Sequence, residues 1–199
     1  YRLTADGLAY KSATAEYFKR GEKWTAVGML ANWKSVFENM APAMDLFDTR
    51  AICTAEIVDA AMLAPTYPAL AVRPPANVGM GVTIGSYLTA RVLRAEYNTN
   101  RQIDTERMSL TAADGHLGFV PSGVSPEIRL TIEAPPIVAT PFHTSAGLDP
   151  YNLAKTGNVL AVSIKQGSVQ YNRRTIAMPT AQLVDFTPSN DGPKATLDL

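Results

Sequence analysis

The hydrophobic period of the chain changes once, across a proline-rich stretch at residues 64–76, and that change limits the fold more than any other feature. Before it, apolar residues recur every three or four positions, the period of a helix; after it they alternate, the period of a strand. Leu8, Ala15 and Phe18 predict a helix over Thr4–Arg20, with Lys19 and Arg20 suited to the negative end of its dipole and Gly21 to a left-handed stop. Over Lys23–Met40 the stripe is Leu30, Trp33, Phe37 and Met40, with Asn32, Lys34 and Glu38 on other faces and Pro42 closing the segment. A third helix is expected from near Asp48 to Leu63, on Ile52, Ile57, Ala60, Ala61 and Leu63, with Asp48 or Thr49 as its cap.

Pro65, Pro68, Pro74 and Pro75 set φ and remove backbone donors, so the stretch between reads as an extended crossing segment. Beyond it, Val78, Met80, Val82 and Ile84 alternate with Gly79, Gly81, Thr83 and Gly85, a half-buried strand whose glycine face invites close packing. Asn98-Thr99-Asn100 reads as a turn, Ile103–Leu110 as a strand, and Asp114-Gly115 as a hairpin signal. Glu127–Glu133 and Val159–Ile164 alternate cleanly, each with one wet face, and Gln166-Gly167 turns the second of these back toward Val169–Arg173 and Ile176–Met178. Ala134–Thr156 carries Pro135, Pro136, Pro141, Pro150 and Gly147 without a period, and is expected to be a long loop.

These patterns predict an α+β fold: an N-terminal helical subdomain of about three helices, followed by an antiparallel β-sandwich or barrel-like body. One domain is expected over 1–199, divided into a helical part at 1–64, the crossing segment at 65–77, a β-rich part at 78–186 and an extended tail at 187–199. No stretch of about eighteen apolar residues exists to span a membrane as a helix, and the first residues lack the pattern of a signal peptide. The start at Tyr1 instead of Met is read as processing, trimming, or the ordered part of something longer.

The balance of charge narrows the partners. Eighteen basic and eighteen acidic side chains give no net field to attract a polyanion or an anionic membrane. Nucleic acid is left only a local patch, for which Arg91, Arg94, Arg101 and Arg107 are the candidates, although charges spread along strands more often form a solvated face. The single cysteine, Cys53, allows no internal disulfide and sits among Ala51, Ile52 and Ala55 as a small apolar residue. A reducing compartment or a virion is the expected location, and secretion is not.

Tests for common chemistry are mostly negative. Two histidines, His116 and His143, and one cysteine do not make a zinc set. Gly79, Gly81 and Gly85 lack the spacing and the following helix of a dinucleotide loop, and no phosphate-cradling loop is present. No cofactor or metal is expected. His116 follows a hairpin signal and reads as an exposed turn residue. One loop collects the residue types of acyl transfer, His143, Ser145 and Asp149, but it has no nucleophile elbow, and a triad is defined by geometry and not by nearness in sequence.

Three readings of function follow. The first is a structural, self-assembling protein, a virus capsid, coat or virion shell subunit, whose partner is itself or other shell subunits. Balanced charge, scarce His and Cys, a β-rich body, extended proline-containing connections and a tail suited to reaching a neighbour favour it, because assembly uses surface and needs no reactive cluster. The second is a hydrolase or protease acting through the 141–149 loop. The third is a β-sandwich that binds a ligand or partner and stays monomeric.

Overall fold

A computed structural model of the chain describes residues 13–19, 22–38, 41, 43–57, 77–104, 110–111, 115, 119–168, 173–189 and 196–198. The N-terminal part is β and not helical. Strands β1 (Ala13–Lys19), β2 (Glu22–Glu38) and β3 (Met44–Ile57) occupy the described portions of all three expected helices, so the α+β assignment is overturned. Residues 4–12, 20, 39–40 and 58–63 of those segments lie outside the described residues, as does the crossing segment up to residue 76.

The reason is visible in residue types. β2 contains Trp24, Thr25, Val27, Trp33, Val36 and Phe37, and β3 contains Phe47, Thr49, Ile52, Thr54 and Ile57. These β-branched and aromatic side chains lose rotamer freedom in a helix and pack well on a pleated surface. Leu30, Trp33 and Phe37 match a helical period, but strand pairing over long separations outweighs that weak local preference. Glycine at position 28 has a structural reason as well. The register of β1 on β2 slips between Ala13 and Ala15, and Gly28 in the bulged stretch has φ +65°, a left-handed conformation that costs a side-chain-bearing residue energy.

The chain divides into two compact units. The first comprises residues 1–33, 46–69 and 99–126. Its described elements are β1, the first part of β2, most of β3, and the antiparallel pair β6 (Arg101–Asp104) with β7 (Val120–Val124). Asn32 organises the approach to β6: its Oδ1 accepts from the Thr99 hydroxyl at 2.6 Å and from the Arg101 N–H at 3.0 Å. The Trp33 N–H in turn donates to Thr99 Oγ1 at 3.0 Å.

The second unit comprises residues 34–45, 70–98 and 127–199. One of its sheets runs from the end of β2 through β5 (Val92–Asn98), β8 (Glu127–Glu133) and β14 (Thr196–Asp198) to β13 (Thr187–Ser189). The other has the order β12 (Arg174–Gln182), β11 (Val159–Gln166), β4 (Gly81–Ile84). Every described pairing is antiparallel, and no described sheet closes into a barrel. Of the segment expected as an extended tail, the described residues are paired: Thr187–Ser189 with Thr196–Asp198, and Leu197 opposite Ile132 of β8.

Alternation sets the core of this unit. Leu130 and Ile132 of β8 are buried, as are Leu160, Val162 and Ile164 of β11 and Val82 and Ile84 of β4. Each such side chain removed from water contributes about 2 kcal/mol before entropy is counted. Gln166 continues the buried face of β11 and is satisfied there, its amide donating to Asn77 Oδ1 at 2.7 Å. Asn77 passes the bond on by donating to the carbonyls of Glu38 and Ala41.

Within the expected long loop lie a two-residue-strand hairpin, β9 (His143–Thr144) with β10 (Gly147–Leu148), and the helix α1 (Pro150–Thr156). Asp149 caps α1, Pro150 occupies its first turn, Lys155 its last, and Gly157 ends it in the left-handed region.

Candidate assembly surface

The hairpin carrying His143, Ser145 and Asp149 is held closed by backbone contacts. Position 147 can hold only glycine, because a Cβ there would lie 2.2 Å from the Pro136 carbonyl oxygen and 2.7 Å from Val138 Cγ1. The Leu148 N–H donates to that same carbonyl at 3.0 Å, and the Asp149 N–H to the Phe142 carbonyl at 2.8 Å.

Each of the three candidate residues is engaged separately. His143 Nδ1 accepts from the Ser86 N–H at 3.1 Å, which leaves the proton of the neutral ring on Nε2, and the ring rests against Gly85. Asp149 is buried; its Oδ1 accepts from the Asn152 N–H at 3.1 Å and its Oδ2 from the Asn152 amide at 2.6 Å. Ser145 is exposed, and its carbonyl accepts from the Thr89 hydroxyl at 3.2 Å. No hydrogen bond joins any two of the three, so the loop does not present a nucleophile, base and orienting acid in series.

The arginines do not form an unopposed positive patch either. Arg91 pairs with Glu133 at 3.1 Å, and Arg94 with Glu38 at 3.2 Å and with Glu96. Lys34 meets Glu96 from the neighbouring strand at 2.7 Å. Burial alone would raise the Glu96 carboxyl, but its bonds to Lys34 and Arg94 outweigh that and hold it below the usual carboxylate range. Arg101 lies on β6 in the first unit, its Nε buried and without a hydrogen-bond partner among the described residues. Arg107 and His116 lie outside the described residues. Arg91 and Arg94 thus belong to a face of alternating sign, the arrangement of a solvated strand surface.

The longest exposed run among the described residues is on β3. Seven consecutive residues, Met44 through Arg50, are exposed, on a strand whose side chains point to opposite faces by turns. Met44 is 52% exposed and Leu46 44%, both on one face, and Phe47 on the other is 61% exposed. β2 behaves in the opposite way, since Ser35, Val36 and Phe37 are all buried, which requires cover on both faces there.

The start of β3 is fastened. The Arg174 guanidinium donates to Asp45 Oδ1 at 2.8 Å and Oδ2 at 3.0 Å, reaches Ser35 Oγ, and lies 5.4 Å from the centre of the Phe37 ring. The sequence holds a trace of this surface, because Met44 and Leu46 on one side of a strand and Phe47 on the other leave it no purely polar face. Helical periodicity obscured it.

Among the described residues no group of three or more His, Cys, Asp or Glu is placed to hold a metal ion, and no described helix is long and apolar enough to cross a membrane. No protein-family model matches the chain, and neither curated proteins nor solved structures offer a significant match.

Proposed function

We propose that the chain is a structural subunit that assembles through its surface, with a virus capsid, coat or similar shell as the specific form. The observation that carries this reading is the exposure of Met44, Leu46 and Phe47 on the two faces of one strand. Large apolar side chains gathered on an open strand gain by being covered, and a partner's surface is the usual cover. The equal numbers of acidic and basic residues remove the self-repulsion that keeps strongly charged proteins apart.

The hydrolase reading loses support because His143 and Asp149 are committed to holding backbone in place. The test is the mass of the chain by light scattering after size exclusion, with negative-stain images of the same fractions. Rings, tubes, sheets or shells support the reading. A 21.4 kDa monomer at every concentration overturns it.

A further inference from the structure

Resting on the self-assembly reading, we infer that the outer edge of β3 pairs antiparallel with the same edge of a second copy, about a two-fold axis at Thr49. Among the described residues β2 is the only strand partner of β3, so the opposite edge over Leu46 to Arg50 has no strand beside it, and the Thr49 carbonyl accepts from the Arg50 guanidinium at 3.2 Å, a contact a second copy would replace. The strand is 14 residues long and holds neither proline nor lysine, two residues that commonly blunt an exposed edge, and the charges it does carry at Asp48 and Arg50 are of opposite sign. An edge of the other kind exists in the same protein. β12 also ends a sheet, but it contains Pro179, which has no N–H to offer, and the register of β11 on it slips between Leu160 and Val162.

Charge selects both the partner and the register. Asp48 and Arg50 stand two apart on one face and make a 2.7 Å ion pair with each other, side chains 65% and 50% exposed, so the pair is weak and free to exchange. Two antiparallel copies of one strand are related by an axis perpendicular to the sheet, which must pass through a residue position. With the axis at Thr49, each Asp48 lies opposite the second copy's Arg50, and each Arg50 opposite the second copy's Asp48. Moving the axis by one residue either way sets Asp48 against Asp48 or Arg50 against Arg50, which is unfavourable. One register therefore satisfies both charges twice, and Leu46 and Phe47 flank it to supply apolar cover.

The test uses the full chain and a charge exchange in trans. Asp48→Arg and Arg50→Asp each place like charges opposite one another in a self-pair, so each raises the dissociation concentration of the assembly by about tenfold or more. An equimolar mixture of the two variants restores assembly, because every opposed pair then has opposite signs; the pair within one chain cannot be repaired by mixing. A wild-type oligomer that ignores both substitutions, or a mixture that fails to recover, overturns the pairing and leaves the self-assembly reading standing. A wild-type chain that stays monomeric overturns both. If either charge variant fails to fold, Thr49→Cys in a Cys53→Ser background decides the matter: opposed thiols on the axis yield a covalent dimer on mild oxidation, and absence of that dimer overturns the proposal.

Discussion

The hairpin from Phe142 to Asp149 and the strand from Met44 to Arg50 differ in almost every respect that bears on function. The hairpin holds a histidine, a serine and an aspartate, the residue types of acyl transfer, and spends two of them on structure: His143 accepts a backbone bond from Ser86, and Asp149 caps α1. The strand holds no histidine, serine or cysteine, yet seven consecutive positions are open to solvent. The histidine and the buried aspartate thus sit in the closed region, while the open strand mixes Met44, Leu46 and Phe47 with Asp45, Asp48, Thr49 and Arg50. A functional reading of this chain has to follow exposure and partners before residue type.

Substitutions separate the two regions by the size of what they disturb. Gly147→Ala is expected to cost about 3 kcal/mol or more in urea unfolding, because the new methyl meets the Pro136 carbonyl, which is backbone and cannot step aside; unaltered stability would show that the hairpin is not closed there. Asp149→Ala should cost about 2 kcal/mol, from a lost helix cap and the two Asn152 donors left without their acceptor. Asp149→Asn should recover part of that loss.

His143→Ala should cost about 1 kcal/mol or less, since water reaches the exposed Ser86 N–H that loses its acceptor. Phe47→Ser should leave monomer stability within about 0.5 kcal/mol while weakening assembly, read by light scattering. A loss of several kcal/mol at Phe47 would mean that the strand is covered within its own chain, and the contrast between the regions would collapse.

The smallest effect is expected in acid. The folded carboxyl of Glu96 is held below its ordinary value of 4.5, so its contribution to stability is present above the unfolded value and is lost as pH falls through the folded one. Glu96→Gln should therefore flatten the acid limb of the stability curve below that ordinary value and leave its slope near neutrality unchanged. An acid limb of unchanged slope would show that Lys34 and Arg94 do not act on this group as the geometry implies.

Strands with one wet face were legible from the sequence. Glu127–Glu133 and Val159–Ile164 alternate, and the structure buries Leu130, Ile132, Leu160, Val162 and Ile164 as that pattern requires. β2 was not legible, because Ser35, Val36 and Phe37 are buried together and a strand covered on both faces has no period of two to display. Leu30, Trp33 and Phe37 then imitated a helix. The one helix among the described residues was not legible for the opposite reason: α1 is seven residues long, with Leu153 and Pro150 its buried residues, so its cap at Asp149 and stop at Gly157 bracket too little periodicity to notice. Of the open surface on β3, the apolar residues were in plain view, but nothing local showed that they remain uncovered.

The sequence by itself determined the balance of charge, the proline and glycine positions and the alternating strands, because each of these is a property of neighbouring residues. Only the tertiary structure decided that the N-terminal segments are strands, that Thr196–Asp198 lies beside β8, and that the His143 ring is an acceptor for a backbone N–H 57 positions away. Burial and hydrogen-bond satisfaction depend on residues far apart in the chain, and helix propensities of a few tenths of a kcal/mol per residue give way to them.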